Sequence, residues 1–318
     1  MQTVSSVANV THAAVAILIQ PDDQVLLGKR PEGKPWAGWW EFPGGKIEAG
    51  ESPLQGLQRE LEEELGVVAT RVYPWLTRSF DYPEKTVKLH FFRVLDWAGQ
   101  LHGREGQTIA WQSLHQLTVD PVLPANAPIF KALKLPDVLA ITNLQETEEP
   151  LFFAQLQRQL QQGLKFIQIR EKHLDAATLS AFAAKVVQHA RDYGAKVVLN
   201  GEHLDVIGHV ADGVHLTSRQ LRLLDQKPDL PLVGASCHNE EELAMAARLD
   251  LDYVTLSPVS PTLSHPGAPA IGWTVFADLV RDYALPVYAL GGMQQQDLEL
   301  AWQHGAHGLA IQRSVWQP

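Results

Sequence analysis

From residue 138 onward short apolar runs recur with helix-patterned segments between them, and this repeat constrains the fold more than any other feature of the chain. The runs occupy residues 138–141, 166–169, 197–199, 213–216, 232–234, 253–256, 287–290 and 308–311. Each is strand-sized, and residues 151–162, 176–193, 240–249, 273–283 and 295–303 carry helical spacing. Strands that alternate with helical crossovers run parallel, because each crossover returns the chain to the same end of the sheet. Eight of them favour a closed (β/α)8 TIM barrel over an open doubly wound sheet, and residues 136–318 are expected to form it.

The preceding residues follow a different rule. An alternating apolar stretch at 13–19, the turn Pro21-Asp22-Asp23 and a second apolar segment at 25–27 predict paired strands. Residues 52–65 predict a helix, with Leu54, Leu57, Leu61 and Leu65 spaced by three or four and Gly66 placed to end it. Further strands are expected at 72–76, 87–95 and 108–111, and a terminal helix at 125–133 behind Pro124. Residues 1–135 therefore read as a mixed α/β/α unit, joined to the barrel by a short connection at 134–137. The fold class is a two-domain α/β protein.

Composition narrows the partners. A chain of 318 residues that is 45% hydrophobic can fill two cores. Its formal net charge of -10 supplies no general basic field, which argues against a polynucleotide partner but leaves room for a small phosphorylated ligand held by local cations. Cys237 stands alone, so an intramolecular disulfide and a thiolate-rich zinc site are both excluded. No signal-like leader and no apolar run of bilayer length is seen, so a cytoplasmic protein without a membrane partner is expected; oligomeric state is left open.

On the first helix Glu60, Glu63 and Glu64 stand at i, i+3 and i+4 and project from one face. Crowding like charges there costs stability unless a cation occupies the face. Carboxylate oxygens suit magnesium, which can also bridge to phosphate. Arg59 is expected to turn toward another carboxylate and order the cluster. Gly44 and Gly45 permit a tight turn that brings a backbone carbonyl close to the metal.

These residues carry a specific resemblance. Gly45, five residues, Glu51, seven residues and then Arg59-Glu60-Leu61-Glu62-Glu63-Glu64-Leu65-Gly66-Val67 resemble the complete Nudix box. Glu41-Phe42-Pro43-Gly44-Gly45-Lys46-Ile47-Glu48 and Pro124-Ala125-Asn126 narrow the likeness to the MutT-type oxidised-purine nucleoside triphosphatases. The resemblance implies magnesium-dependent hydrolysis of 8-oxo-dGTP to 8-oxo-dGMP and pyrophosphate by water attack at the β-phosphorus, with manganese as an alternative ion and sanitation of the nucleotide pool as the role. It implies metal ligation by the Gly45 carbonyl, Glu60, Glu63, Glu64 and the loop residue Glu105, and it leaves water activation to Glu60 or Glu105. It also implies that Arg30 approaches the nucleotide, that Phe42 and Phe91 enclose the base and that Asn126 reads the purine edge. Taken alone, Asn126 better suits a cap on the following helix, and the surrounding match reverses that preference.

In the barrel, Arg170 and Lys172 follow the second strand, His238 the fifth, Gly291-Gly292 the seventh and Gln312-Arg313-Ser314 the eighth. Side chains and loops at strand C-termini enter the active face of such a barrel, so these residues make a candidate phosphate site. The runs Phe166-Ile167-Gln168-Ile169-Arg170-Glu171-Lys172, Gly234-Ala235-Ser236-Cys237-His238 and Ser257-Pro258-Val259-Ser260-Pro261-Thr262 resemble the thiamine monophosphate synthase and TenI family. The chain departs from the synthase pattern where Asn200 is followed by Gly201, where the fourth loop reads Thr217-Ser218-Arg219-Gln220 and where the sixth carries His265. Two expected magnesium carboxylates and a lysine are thereby replaced. A phosphorylated thiazole or thiamine-related ligand, tautomerase chemistry through His238 and a structural role all stay open, while His215 reads as a packed strand histidine.

Overall fold

The computed structural model of the chain describes residues 10–82, 85–104, 106–203, 211–262, 267 and 269–317. It divides into two compact units, one built mainly on residues up to Lys134 and the other on those from Leu135.

The first unit is a seven-stranded sheet of β1 (Val10–Gln20), β2 (Gln24–Lys29), β3 (Trp40–Glu41), β4 (Gly44–Lys46), β5 (Val68–Tyr82), β6 (Lys85–Ala98) and β7 (Ile109–Ser113). β1 pairs antiparallel with β2 and β4 and parallel with β6. Its period-two alternation sorts the two cores. Ala14, Ala16 and Leu18 face Leu57, Leu61 and Leu65 of helix α1 (Pro53–Leu65). Val15 and Ile17 belong to the opposite core with Ile129 and Phe130 of helix α2 (Ala127–Leu133).

Local chemistry fixes the ends of α1. The Ser52 hydroxyl accepts the Gln55 N–H and the Gln55 side chain accepts the Ser52 N–H, a reciprocal cap, while Pro53 opens the first turn. At the other end Gly66 adopts φ 69°, the left-handed geometry in which its N–H meets the Glu62 carbonyl. The helix thus ends at Leu65 as expected. Leu54 instead lies exposed, because the buried stripe begins one turn later at Leu57. The expected helix at 125–133 divides into a 3-10 turn, Pro124–Asn126, followed by α2.

The second unit is a closed parallel barrel of β8 (Val138–Ile141), β9 (Phe166–Ile169), β10 (Lys196–Asn200), β11 (Gly213–Leu216), β12 (Leu232–Cys237), β13 (Tyr253–Leu256), β14 (Val287–Leu290) and β15 (Gly308–Ile311). β15 pairs with β8 and completes the ring. The outer layer includes Glu149–Gln161, Ala176–Arg191, Glu240–Arg248, Gly272–Val280 and Leu298–Gln303. A further short helix, Ser218–Arg222, escapes sequence reading because five residues carry no period; a Thr217 and Gln220 capping pair makes it. Among the described residues no helix is long and apolar enough to cross a membrane.

Aromatic rings fill the barrel. Tyr253 lies 5.3 Å from Phe166 and 5.6 Å from Tyr288, ring centre to ring centre. The Tyr288 hydroxyl donates to the Pro136 carbonyl, and the Tyr253 hydroxyl meets His215 Nδ1 at 3.0 Å. His215 Nε2 in turn meets the Ser236 hydroxyl at 3.0 Å, so the histidine is a satisfied interior group. Burial pushes its pKa down to about 3, with the Arg170 charge adding to the effect, and the ring stays neutral. Gly234 makes room for this packing: a Cβ there falls 2.1 Å from the Tyr253 ring. Gly234→Ala is therefore expected to destabilise the barrel by about 1–3 kcal/mol through overpacking. Urea unfolding followed by tryptophan fluorescence checks this, and an unchanged midpoint refutes the close ring contact.

Candidate functional site

Strand β4 lies beside α1, and the glycines make that approach possible. Gly44 has φ 139°, and a Cβ on it would sit 2.1 Å from the Ala14 carbonyl oxygen. A Cβ on Gly45 would sit 2.3 Å from the Glu60 carboxylate carbon. The bare backbone at 44–45 is thus a precondition for the acidic face. Arg59 organises that face. Its Nε donates to Glu51 at 2.8 Å, Nη1 to Glu60 at 2.9 Å and Glu63 at 3.1 Å, and Nη2 to the Lys46 carbonyl at 2.9 Å.

Glu64 turns the other way and accepts the Gly44 N–H at 3.2 Å. Burial pushes its pKa up to about 7; the Gly44 hydrogen bond opposes this and the nearby Glu60 and Glu41 charges reinforce it. A buried carboxylate among like charges is a setting that a hard cation relieves, and the Gly45 cradle leaves the backbone bare beside it. The donor set fits magnesium in this chemical sense. The side chains are not gathered as ligands, however: among the described residues no group of three or more His, Cys, Asp or Glu is placed to hold a metal. Arg59 draws Glu60 and Glu63 to itself while Glu64 is held by Gly44. Glu105 lies outside the described residues.

The residues expected to read the nucleotide occupy the opposite core. Phe42 and Phe91 are both buried, and Phe42 packs on Phe130 of α2 with ring centres 5.0 Å apart. Asn126 is 5% exposed at the start of α2, yet its side chain makes no capping hydrogen bond. Its Nδ2 is a buried donor with no partner among the described residues. Such a group costs about 1–3 kcal/mol unless a ligand satisfies it. Arg30 is engaged by a residue to which sequence reading gave no role: its Nη1 lies 2.5 and 2.6 Å from the two Glu41 oxygens, and its Nε donates to the Pro35 carbonyl. Burial raises the Glu41 pKa while Arg30 opposes the rise. Glu41 stands in the run that carries the resemblance, but its pairing with Arg30 is set by tertiary structure and has no local sequence signal.

In the second unit the C-terminal ends of the strands open into a cavity of about 960 Å³. Arg170, Lys172, Asn200, His238, the Gly291-Gly292 pair and Arg313 all line it. Lys172 is paired with Glu202 at 3.0 Å, and Arg313 holds Glu146 through Nε and Nη2. Asn200 accepts the Glu202 N–H. Gly291 and Gly292 have φ 107° and 66°, and side chains on them would strike Pro258 and Pro261. His238 Nδ1 lies 2.9 Å from the Ser257 carbonyl, which only accepts, so Nδ1 is the donor in this contact and the tautomer it selects has its lone pair on Nε2. The His238 N–H is itself held by Glu242, a buried acid that also takes Arg222 and that sequence reading missed. His265 lies outside the described residues.

The chain is similar to two groups of known proteins. A NUDIX domain model matches residues 10–133, and a model described as thiamine monophosphate synthase matches residues 138–315. The 8-oxo-dGTP diphosphatase of Haemophilus influenzae is 40% identical over 124 residues, 39% of this chain and 91% of the relative. The CTP pyrophosphohydrolase of Escherichia coli is 38% identical over 118 residues, 37% of this chain and 87% of that protein. The putative thiamine-phosphate synthase 2 of Aquifex aeolicus is 34% identical over 181 residues, 56% of this chain and 96% of the relative. With the Gly45 and Glu60 contact in one unit and the closed barrel in the other, these matches show that the chain belongs to two families, joining an N-terminal MutT-like Nudix domain to a C-terminal domain of the thiamine monophosphate synthase and TenI family.

Proposed function

We propose that the N-terminal unit hydrolyses 8-oxo-dGTP to 8-oxo-dGMP and pyrophosphate. Nudix membership supports hydrolysis of a nucleoside triphosphate, and Asn126, whose buried Nδ2 donor has no partner among the described residues, is the observation that carries our choice of base. Oxidation of guanine at C8 places an N–H at N7 beside the O6 acceptor. A side chain with a donor and an acceptor complements that edge, whereas unmodified guanine presents a lone pair at N7. The wrong base therefore leaves buried polar atoms unmatched, which is where large selectivity arises. The rival substrate is CTP, the compound named for the Escherichia coli relative, or a thiamine-related pyrophosphate.

In this reading the water oxygen bonds to the β-phosphorus, the bond from that phosphorus to the oxygen bridging toward the α-phosphate breaks, and the monophosphate leaves with that oxygen. The water proton passes to a carboxylate oxygen of Glu60 or Glu105. Arg59 is a positioning residue: it holds Glu51, Glu60 and Glu63 together and leaves the phosphates to other groups. Magnesium, or manganese in its place, held by Glu60, Glu63, Glu64, Glu105 and the Gly45 carbonyl, supplies neutralisation of phosphate charge when bound.

For the barrel, the cavity and its cations favour a phosphorylated ligand, with a phosphorylated thiazole or a thiamine-related phosphate as the class. The Nε2 lone pair of His238 is the group there suited to accept a proton, which supports TenI-like chemistry as the second reading.

With magnesium, the full chain is expected to give a higher kcat/KM for 8-oxo-dGTP than for dGTP, CTP or thiamine pyrophosphate, with products identified by chromatography. A preference for CTP overturns the substrate assignment. Glu60→Gln is expected to lower kcat by roughly 100-fold or more while circular dichroism stays unchanged. Retained turnover removes Glu60 from the reaction.

Asn126→Ala should lower the kcat/KM ratio of 8-oxo-dGTP to dGTP by roughly 10- to 100-fold, the equivalent of about 1–3 kcal/mol of lost hydrogen bonding. Selectivity that persists in this variant assigns base reading elsewhere.

A further inference from the structure

The cations at the barrel mouth are unequally committed. Lys172 is neutralised by Glu202, Arg313 by Glu146 and the neighbouring Arg222 by Glu242. Arg170 and Arg219 line the same cavity, and neither side chain makes an ion pair or a hydrogen bond with another described residue. Arg170 is half-buried, and its charge reaches the interior His215. Burial pulls its pKa below the usual guanidinium range. The Glu202 and Glu171 charges oppose that shift, and the guanidinium keeps a planar fork of five N–H donors available to a ligand in the cavity.

The acidic side is the reverse. Glu202 is the sole carboxylate among the described residues lining the cavity, and Lys172 already holds it. Position 201 is Gly, and the Gln220 side chain occupies the space beside it: a Cβ there would lie 2.3 Å from Gln220 Oε1, and Gln220 Nε2 donates to the Gly201 carbonyl. Position 218 is Ser and position 219 is Arg. Magnesium is bound by proteins through one or two carboxylates beside the phosphate. Among the described residues, the one carboxylate lining this cavity is already engaged by Lys172, which leaves none free to hold the ion.

We infer that the barrel binds its phosphorylated ligand by direct contact with Arg170 and Arg219, without a divalent cation. The inference rests on the reading of the cavity as a phosphate-ligand site. Planar guanidinium groups match phosphate oxygens two at a time, so a pair of them at the strand ends takes the place of a metal bridge. The glycine pair at 291–292 gives a phosphate close access to the backbone on the seventh strand's side.

Calorimetric titration of the full chain with inorganic pyrophosphate, first in EDTA and then in magnesium, tests this. Binding in EDTA is expected, and Arg170→Gln and Arg219→Gln should each weaken it by about tenfold or more. Arg219 is exposed, so its variant keeps the test intact should Arg170→Gln fail to fold. Heat in magnesium that survives both substitutions belongs to the N-terminal unit. Binding that depends on Arg170 or Arg219 but appears only with magnesium overturns the cation-free inference and leaves the phosphate site standing. Absence in both buffers of any binding sensitive to these two residues overturns the phosphate site as well.

Discussion

The N-terminal site depends on a single cation placed among carboxylates. Glu60, Glu63 and Glu64 share one helical face, where like charges oppose helix formation, and Glu51 comes in from the preceding turn. Arg59 converts that repulsion into order by donating to Glu51, Glu60 and Glu63 at once and to the Lys46 carbonyl. Its own proton is held more tightly as a result, chiefly through Glu51 and then Glu60. The glycine turn answers the same demand from the opposite side. Because nothing projects from position 45, the Glu60 carboxylate can rest against the backbone.

Much of this arrangement is legible in the chain because it follows from local rules. The capping pair at Ser52 and Gln55, the leucine stripe and the left-handed Gly66 all act within a few residues, so α1 and its limits can be read directly. The barrel is legible because its period repeats eight times. What escapes is decided at long range. Glu41 gains its ion pair only when Arg30, eleven residues away, folds back onto it, and Glu242 takes on meaning only when its buried carboxylate meets both Arg222 and the His238 N–H. Asn126 has a sequence suited to a helix cap, yet its side chain makes no cap and its amide donor is buried without a partner among the described residues. Leu54 fits the helical spacing but falls outside the stripe that the sheet covers. Pattern locates elements; burial decides what their side chains are for.

The two units meet phosphate chemistry with opposite electrostatics. In the first, acidic groups outnumber the cation that orders them, and Glu64 is pushed up to about 7 chiefly by burial, so the site is built to gain from added positive charge. In the second, Glu202, Glu146 and Glu242 are each matched to a lysine or arginine, while the Arg170 and Arg219 side chains make no ion pair or hydrogen bond with another described residue, so the site is built to gain from added negative charge. The formal net charge of -10 conceals this difference because it averages over both. Family membership does not by itself carry a reaction onto a barrel whose acidic positions have changed. An anion brings its charge to Arg170 and Arg219 directly, whereas the carboxylates of α1 require a cation between themselves and the same kind of ligand. On the two readings proposed for these sites, dependence on divalent metal is therefore the property that separates their chemistry within one chain.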